Sequence, residues 1–190
     1  MLIERFPETV ETEPELLAHH CTEAGLYVQA AVYWLQAGQR AVERSANLEA
    51  LAHLRKGLEV VANLPDGPDR TRQELALQVA LAVPLTAVKA YAAPEVERAY
   101  SRAKELSEQL GDMRELFHVL HGMYRFYVVQ GQYEEARGFV DQCLTLAQRL
   151  EDPELLMEAH RGLGLTLFCL GVLFTSVSLM RFRSMLARQM

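Results

Sequence analysis

Large and small side chains alternate along one helical face at several places in this chain. Tyr133, Ala136, Val140 and Cys143 form one such series, followed directly by Leu144. Tyr27, Ala30, Trp34 and Ala37 form a second, and Asn47, Ala50, Leu54 and Gly57 with Leu58 a third. Ala93, Val96, Tyr100 and Ala103 are a looser copy. Offsets of three, four and three return to the same side of a helix with about 3.6 residues per turn. Small residues at such positions let a neighbouring helix approach closely, and the large ones fill the space beside it. A unit of this kind cannot bury its apolar face alone, so copies must stack on one another.

The same pattern delimits the elements. It predicts helices over 13–24, 27–45, 47–63, 69–89, 94–110, 113–130, 133–150 and 153–170, and a ninth over 173–188. Gly25 is placed to end the first in a left-handed turn. Leu64-Pro65-Asp66-Gly67-Pro68 reads as a turn, because two prolines and a glycine do not fit a helix interior. Pro84 is expected to kink or split the fourth helix, and Pro94 suits the first turn of the fifth. No stretch alternates with period two long enough to predict a strand.

The repeat has a measurable period. Shifting the sequence by 40 aligns Leu106 with Leu146, Leu110 with Leu150, Asp112 with Asp152, Leu116 with Leu156, Gly122 with Gly162 and Gly131 with Gly171. Ordinary composition gives about two coincidences over such a window. Asp112 and Asp152 stand where a helix N-cap is needed, and Gly131 and Gly171 fall in the turns between helices. The unit is therefore helix, turn with Gly, helix, turn with Asp.

Composition narrows the class. Half of the 190 residues are apolar and 23% are charged, enough to bury a core. The net charge of −6 argues against a nucleic-acid partner, whose phosphates require clustered Lys and Arg. Cys21, Cys143 and Cys169 are far apart and form no CxxC, which fits a reduced, cytoplasmic setting. Met1-Leu2-Ile3-Glu4-Arg5 lacks the basic region and apolar run of a secretory leader. Charge is unevenly spread. The first 160 residues carry 15 basic and 25 acidic side chains, while residues 161–190 carry four Arg and no Asp, Glu or Lys.

Gly131-Gln132-Tyr133-Glu134-Glu135-Ala136, with Leu144 and Pro153, resembles a tetratricopeptide repeat, although the period is nearer 40 than 34. A closer resemblance covers most of residues 4–171. Glu4-Arg5-Phe6-Pro7-Glu8, Pro14-Glu15-Leu16-Leu17-Ala18-His19-His20, Ala37-Gly38-Gln39-Arg40-Ala41 and Tyr91-Ala92-Ala93-Pro94-Glu95-Val96 carry it. These segments are similar to the MalT-like repeat region of bacterial adenylate/guanylate cyclase-linked P-loop signalling ATPases. The resemblance implies an all-α, right-handed α-solenoid of tetratricopeptide-like helix pairs, about nine helices, over residues 1–171. It implies a protein or peptide partner, in some cases a cyclase or P-loop ATPase domain, and a regulatory or scaffolding role.

Catalytic chemistry is not legible. There is no GxxxxGK[ST] phosphate cradle, and Ser45 and Thr22 have no evident base partner. His19-His20-Cys21 with Glu23 is the nearest thing to a ligand cluster, but a structural zinc wants four ligands and packing is the expected role. Gly162-x-Gly164 lies within a helix and lacks the strand-to-helix context of a dinucleotide loop. Cys143 sits on the small-residue face and reads as a buried, inert thiol. No cofactor and no metal are expected.

Two segments remain. Tyr124 and Tyr127, three apart with Arg125 between them, read first as core aromatics, with Arg125 turned to the opposite side; the sharper reading is a groove for a peptide or partner helix. Residues 162–180 contain no charge and precede Arg181, Arg183 and Arg188, the length of a membrane span. Gly162, Gly164, Gly171, Thr166, Thr175, Ser176 and Ser178 dilute its hydrophobicity, so a span is not expected. Residues 172–190 are expected to form a divergent, poorly packed or self-associating cap, since Arg183 falls where the other copies place a small residue. The expected function is a non-enzymatic interaction module. The alternatives are a fragment or regulatory subunit of a cyclase or ATPase acting in trans, and a small membrane-anchored repeat protein.

Overall fold

The computed structural model describes residues 13–89 and 93–171. Every described element is an α-helix: α1 Pro14–Glu23, α2 Tyr27–Glu43, α3 Asn47–Val61, α4 Pro68–Lys89, α5 Pro94–Leu110, α6 Met113–Val129, α7 Tyr133–Leu150 and α8 Pro153–Cys169. The predicted boundaries of these eight agree within two residues. Pro84 does not split α4, which continues to Lys89 with the proline ring buried in its interior. The ninth helix and the membrane-span segment beyond Gly171 lie outside the described residues, as does the start of a divergent tail at 172. No described helix is long and apolar enough to cross a membrane.

The chain divides into two compact units, Met1–Asp112 and Met113–Met190. In the first, α1 packs on α2, α2 on α3, α3 on α4 and α4 on α5, and α2 also meets α4. In the second, α7 packs on both α6 and α8, and α6 meets α8. Connections of two or three residues join most neighbours, so within each unit successive helices pack side by side.

Those tight connections are built from left-handed residues. Gly25, Gly131 and Gly171 have φ of 71°, 74° and 71°. After Gly131 the chain closes with Gln132 N–H donating to the Tyr127 carbonyl, the six-to-one bond of a Schellman turn. The 40-residue offset holds at backbone level: left-handed Gly111 (φ 69°) is matched by Glu151 (φ 51°), and Gly131 by Gly171. Asp152 then caps α8, its carboxylate accepting from the N–H groups of Glu154 (3.0 Å) and Leu155 (3.2 Å). The Leu155 bond first, then burial working against it and the Glu154 bond, leave the Asp152 carboxyl below its ordinary pKa, and the Arg114 guanidinium adds to the shift.

The small positions of the repeating pattern are where the helices touch. Ala30, Ala37, Ala50, Gly57, Ala103, Ala136 and Cys143 are all buried, as are Trp34, Leu54, Val96 and Val140 between them. Tyr100, third in its series, and Tyr133, first in its own, are half-buried. Gly57 shows how close the approach is. A Cβ there would stand 2.6 Å from Leu77 Cδ2 on α4 and 3.2 Å from Trp34 Cβ on α2. Gly38 on α2 is equally tight against Leu54 on α3, at 2.5 Å. Trp34 is the hub of this region. Its indole N–H donates to Thr22 Oγ1 at 3.1 Å, His53 stacks on its ring, and Lys56 Nζ lies 4.8 Å from the ring centre.

The second unit has a core of Phe117, Leu120, Cys143, Ala147, Leu155 and Ala159, continued by Tyr124, Ala136 and Val140. Burial pushes the Cys143 thiol up to about 12, and its Sγ faces the Phe117 carbonyl at 3.8 Å. A thiol so protonated is a packing group, not a nucleophile.

Candidate recognition cleft

The sequence places Tyr124, Arg125 and Tyr127 together on α6, and the structure separates them. Tyr124 and Arg125 line one cleft between α6 and α8, of about 370 Å³, with His121, Val128, Val129, Arg161, Gly162 and Leu165. Arg125 therefore shares a side with Tyr124. Tyr127 turns inward and stacks on Phe139 of α7, with ring centres 5.2 Å apart and planes 12° from parallel.

The floor of the cleft is fixed by packing. Tyr124 is buried, and its ring lies against the backbone of α8 at Gly162, where a Cβ would come within 3.2 Å of it and 2.9 Å of Val140 Cγ2. Burial raises the Tyr124 phenol, and a hydrogen bond with Thr166 works in the other direction. Thr166 is itself buried, its hydroxyl donating to the Gly162 carbonyl at 2.9 Å. Two helices are thus held close at a glycine, and the phenol lies between them.

The walls are charged. Glu158 accepts from Arg161 at 2.7 Å and lies 3.3 Å from His121 Nε2. Arg161 is the largest influence on Glu158, holding its carboxyl below the ordinary range. His121 stacks parallel to Phe117 at 6.1 Å, and burial lowers its pKa, with Glu158 pulling the other way. Arg125 makes no ion pair among the described residues and is exposed.

His121, Arg161 and Leu165 were not singled out by sequence reasoning, although a signal existed. The 40-residue offset that aligns Gly122 with Gly162 also aligns His121 with Arg161 and Arg125 with Leu165. The same face of two successive repeats therefore forms the two walls. Elsewhere, His19 and His20 are exposed on α1 while Cys21 is buried, so the three do not converge. Among the described residues no three His, Cys, Asp or Glu side chains come together as a metal site.

No family model matches this chain, and no curated protein matches it.

Proposed function

We propose that this chain is a non-catalytic helical-repeat module that binds a protein or peptide. Its helix pairs stack as a right-handed α-solenoid of tetratricopeptide-like units. It acts in the cytoplasm as a regulatory or scaffolding part of a bacterial signalling system, with a cyclase or P-loop ATPase domain as the partner whose output it controls. The observation that supports this reading is the α6–α8 cleft. Equivalent faces of successive repeats meet there at a glycine and leave a concave, mixed apolar and cationic surface. Helical repeats present such surfaces to extended chains and helices. The reading of signalling context rests on the sequence resemblance.

The test is affinity capture with the purified full chain, followed by identification of retained proteins and reconstitution with them. The expected result is a stoichiometric complex with a signalling ATPase or cyclase, and a change in the turnover of that partner. ATP or GTP turnover that co-elutes with this chain alone through successive columns would overturn the non-catalytic reading.

A further inference from the structure

The two guanidinium groups of the cleft are not equivalent. Arg161 is already engaged by Glu158, whereas Arg125, one helix across, has no ion-pair partner among the described residues. Apolar surface continues on both sides of them. On α8, Met157, Leu165 and Phe168 share a face with Arg161, at spacings of four, four and three, and are 68%, 48% and 61% exposed. On α6, Val129 is 57% exposed. Single exposed apolar residues are ordinary, but Val129 and Leu165 line the cleft itself beside two arginines, and Met157 and Phe168 extend the exposed apolar face of α8.

We propose that the α6–α8 cleft binds an acidic peptide segment, seating one carboxylate between Arg125 and Arg161 and an apolar side chain against Tyr124, Val128 and Leu165. The proposal rests on the interaction-module reading and names the chemistry of the partner. Planar guanidiniums bind carboxylates through paired N–H donors, and an arginine without an ion pair has no internal bond to break first. Leu165, Val128 and the buried Tyr124 ring give the neighbouring residue an apolar seat. The segment of this chain that follows Gly171 does not fit by charge. Residues 172–190 contain three Arg and no Asp or Glu, so they would bring like charge to a cationic cleft. A nucleic acid fits less well than a peptide, because Glu158 is paired with Arg161 beside the cleft and the chain is −6 overall.

The experiment uses the full chain and an array of synthetic 15-residue peptides in which acidic and leucine content vary independently. The strongest binders are then titrated by fluorescence anisotropy, together with Glu→Gln copies of each. The expected result is selection of peptides that combine acidic and apolar residues. Affinity should fall about tenfold or more for the Gln copies and for Arg125→Glu, and less for Arg125→Gln, while the urea midpoint of each variant stays unchanged. Raising salt from 50 to 500 mM should weaken the wild type and level it with Arg125→Gln. Peptide binding indifferent to Arg125→Glu and Arg161→Gln would overturn the cleft assignment and leave the module reading standing. Retention of no peptide at all would count against both. Self-association in sedimentation, abolished by Arg125→Glu, would assign the cleft to a second copy and overturn the proposal.

Discussion

The α2–α3–α4 seam and the α6–α8 cleft are built from the same kind of helix pair and end in opposite states. In the seam both helix glycines are closed from across the interface: Gly38 by Leu54, and Gly57 by Leu77 and Trp34. In the cleft the approach at Gly162 is a little looser, 3.2 Å to Tyr124 against 2.5 and 2.6 Å in the seam, and it lies at the bottom. Two residues along, Gly164 lies on another face of α8, outside the cleft lining, and has nothing within 4 Å of where its Cβ would be. The difference lies in what flanks the glycine. Leu54, Leu77 and Trp34 are apolar and reach across the seam. Beside Gly162 on α8, Arg161 pairs with Glu158 and Leu165 stays half exposed along the cleft, so neither fills the gap. A small residue therefore brings two helices together, and its neighbours decide whether the gap closes or stays open as a surface.

Breaking the seam should have the largest effect. Leu54 is fully buried against Gly38, so Leu54→Ala leaves a cavity and should cost about 2–5 kcal/mol. Urea unfolding gives the value, and a loss below about 1 kcal/mol would mean that the seam is loosely packed. Filling the small slots should cost less. Ala50→Leu and Ala136→Leu, both at fully buried positions, should each destabilise by about 1–3 kcal/mol through overpacking. Unchanged urea midpoints for both would remove the packing role of the repeating pattern.

Two smaller effects sharpen the comparison on the side of the cleft. Glu151 holds a left-handed conformation that its repeat partner Gly111 adopts without strain. Glu151→Gly should therefore stabilise by about 1 kcal/mol, read as a rise in the thermal midpoint. His121 gives a pH signature. Burial lowers its folded pKa below the value of about 6.5 expected in the unfolded chain. The unfolded state then binds the proton first, so stability is full above about 6.5 and declines as pH falls through the window down to the folded pKa. The lowered Glu158 acts in the same direction, but only in the carboxylate range further down. His121→Phe keeps the stack on Phe117 and removes the titration. Its urea midpoint should fall less between pH 7.5 and 5.5 than that of the wild type, and an equal fall would assign the loss to other groups.

Much of the fold was readable because its signals are local. The three-four-three spacing marked the buried faces, Asp152 announced the α8 cap, and Gly25, Gly131 and Gly171 announced their turns. Pro84 does not split its helix, because a helix held on both sides can carry a proline in its interior. Ser45 and Glu151 gave no warning of their left-handed backbone, since the turn is imposed by the helices on either side and not by the residue itself. The cleft was half readable. Tyr124 and Arg125 stood out as an aromatic and a cation close together in sequence. Arg161 joins them only through packing of α6 on α8, which is tertiary information, His121 was one helical turn away on α6 but went unmarked, and the turn of Tyr127 onto Phe139 depends on α7.

The most direct measurement makes one chemical change at two helix glycines. Gly57→Leu and Gly164→Leu each remove a glycine from a helix interior, which favours the helix by up to about 1 kcal/mol. At Gly57 the new side chain meets Leu77 and Trp34, and at Gly164 it meets open space. The urea midpoint of Gly57→Leu should fall by the equivalent of about 1–3 kcal/mol, and that of Gly164→Leu should hold or rise. Equal losses at the two positions would contradict the account of the seam glycines as contacts closed by side chains from across the interface.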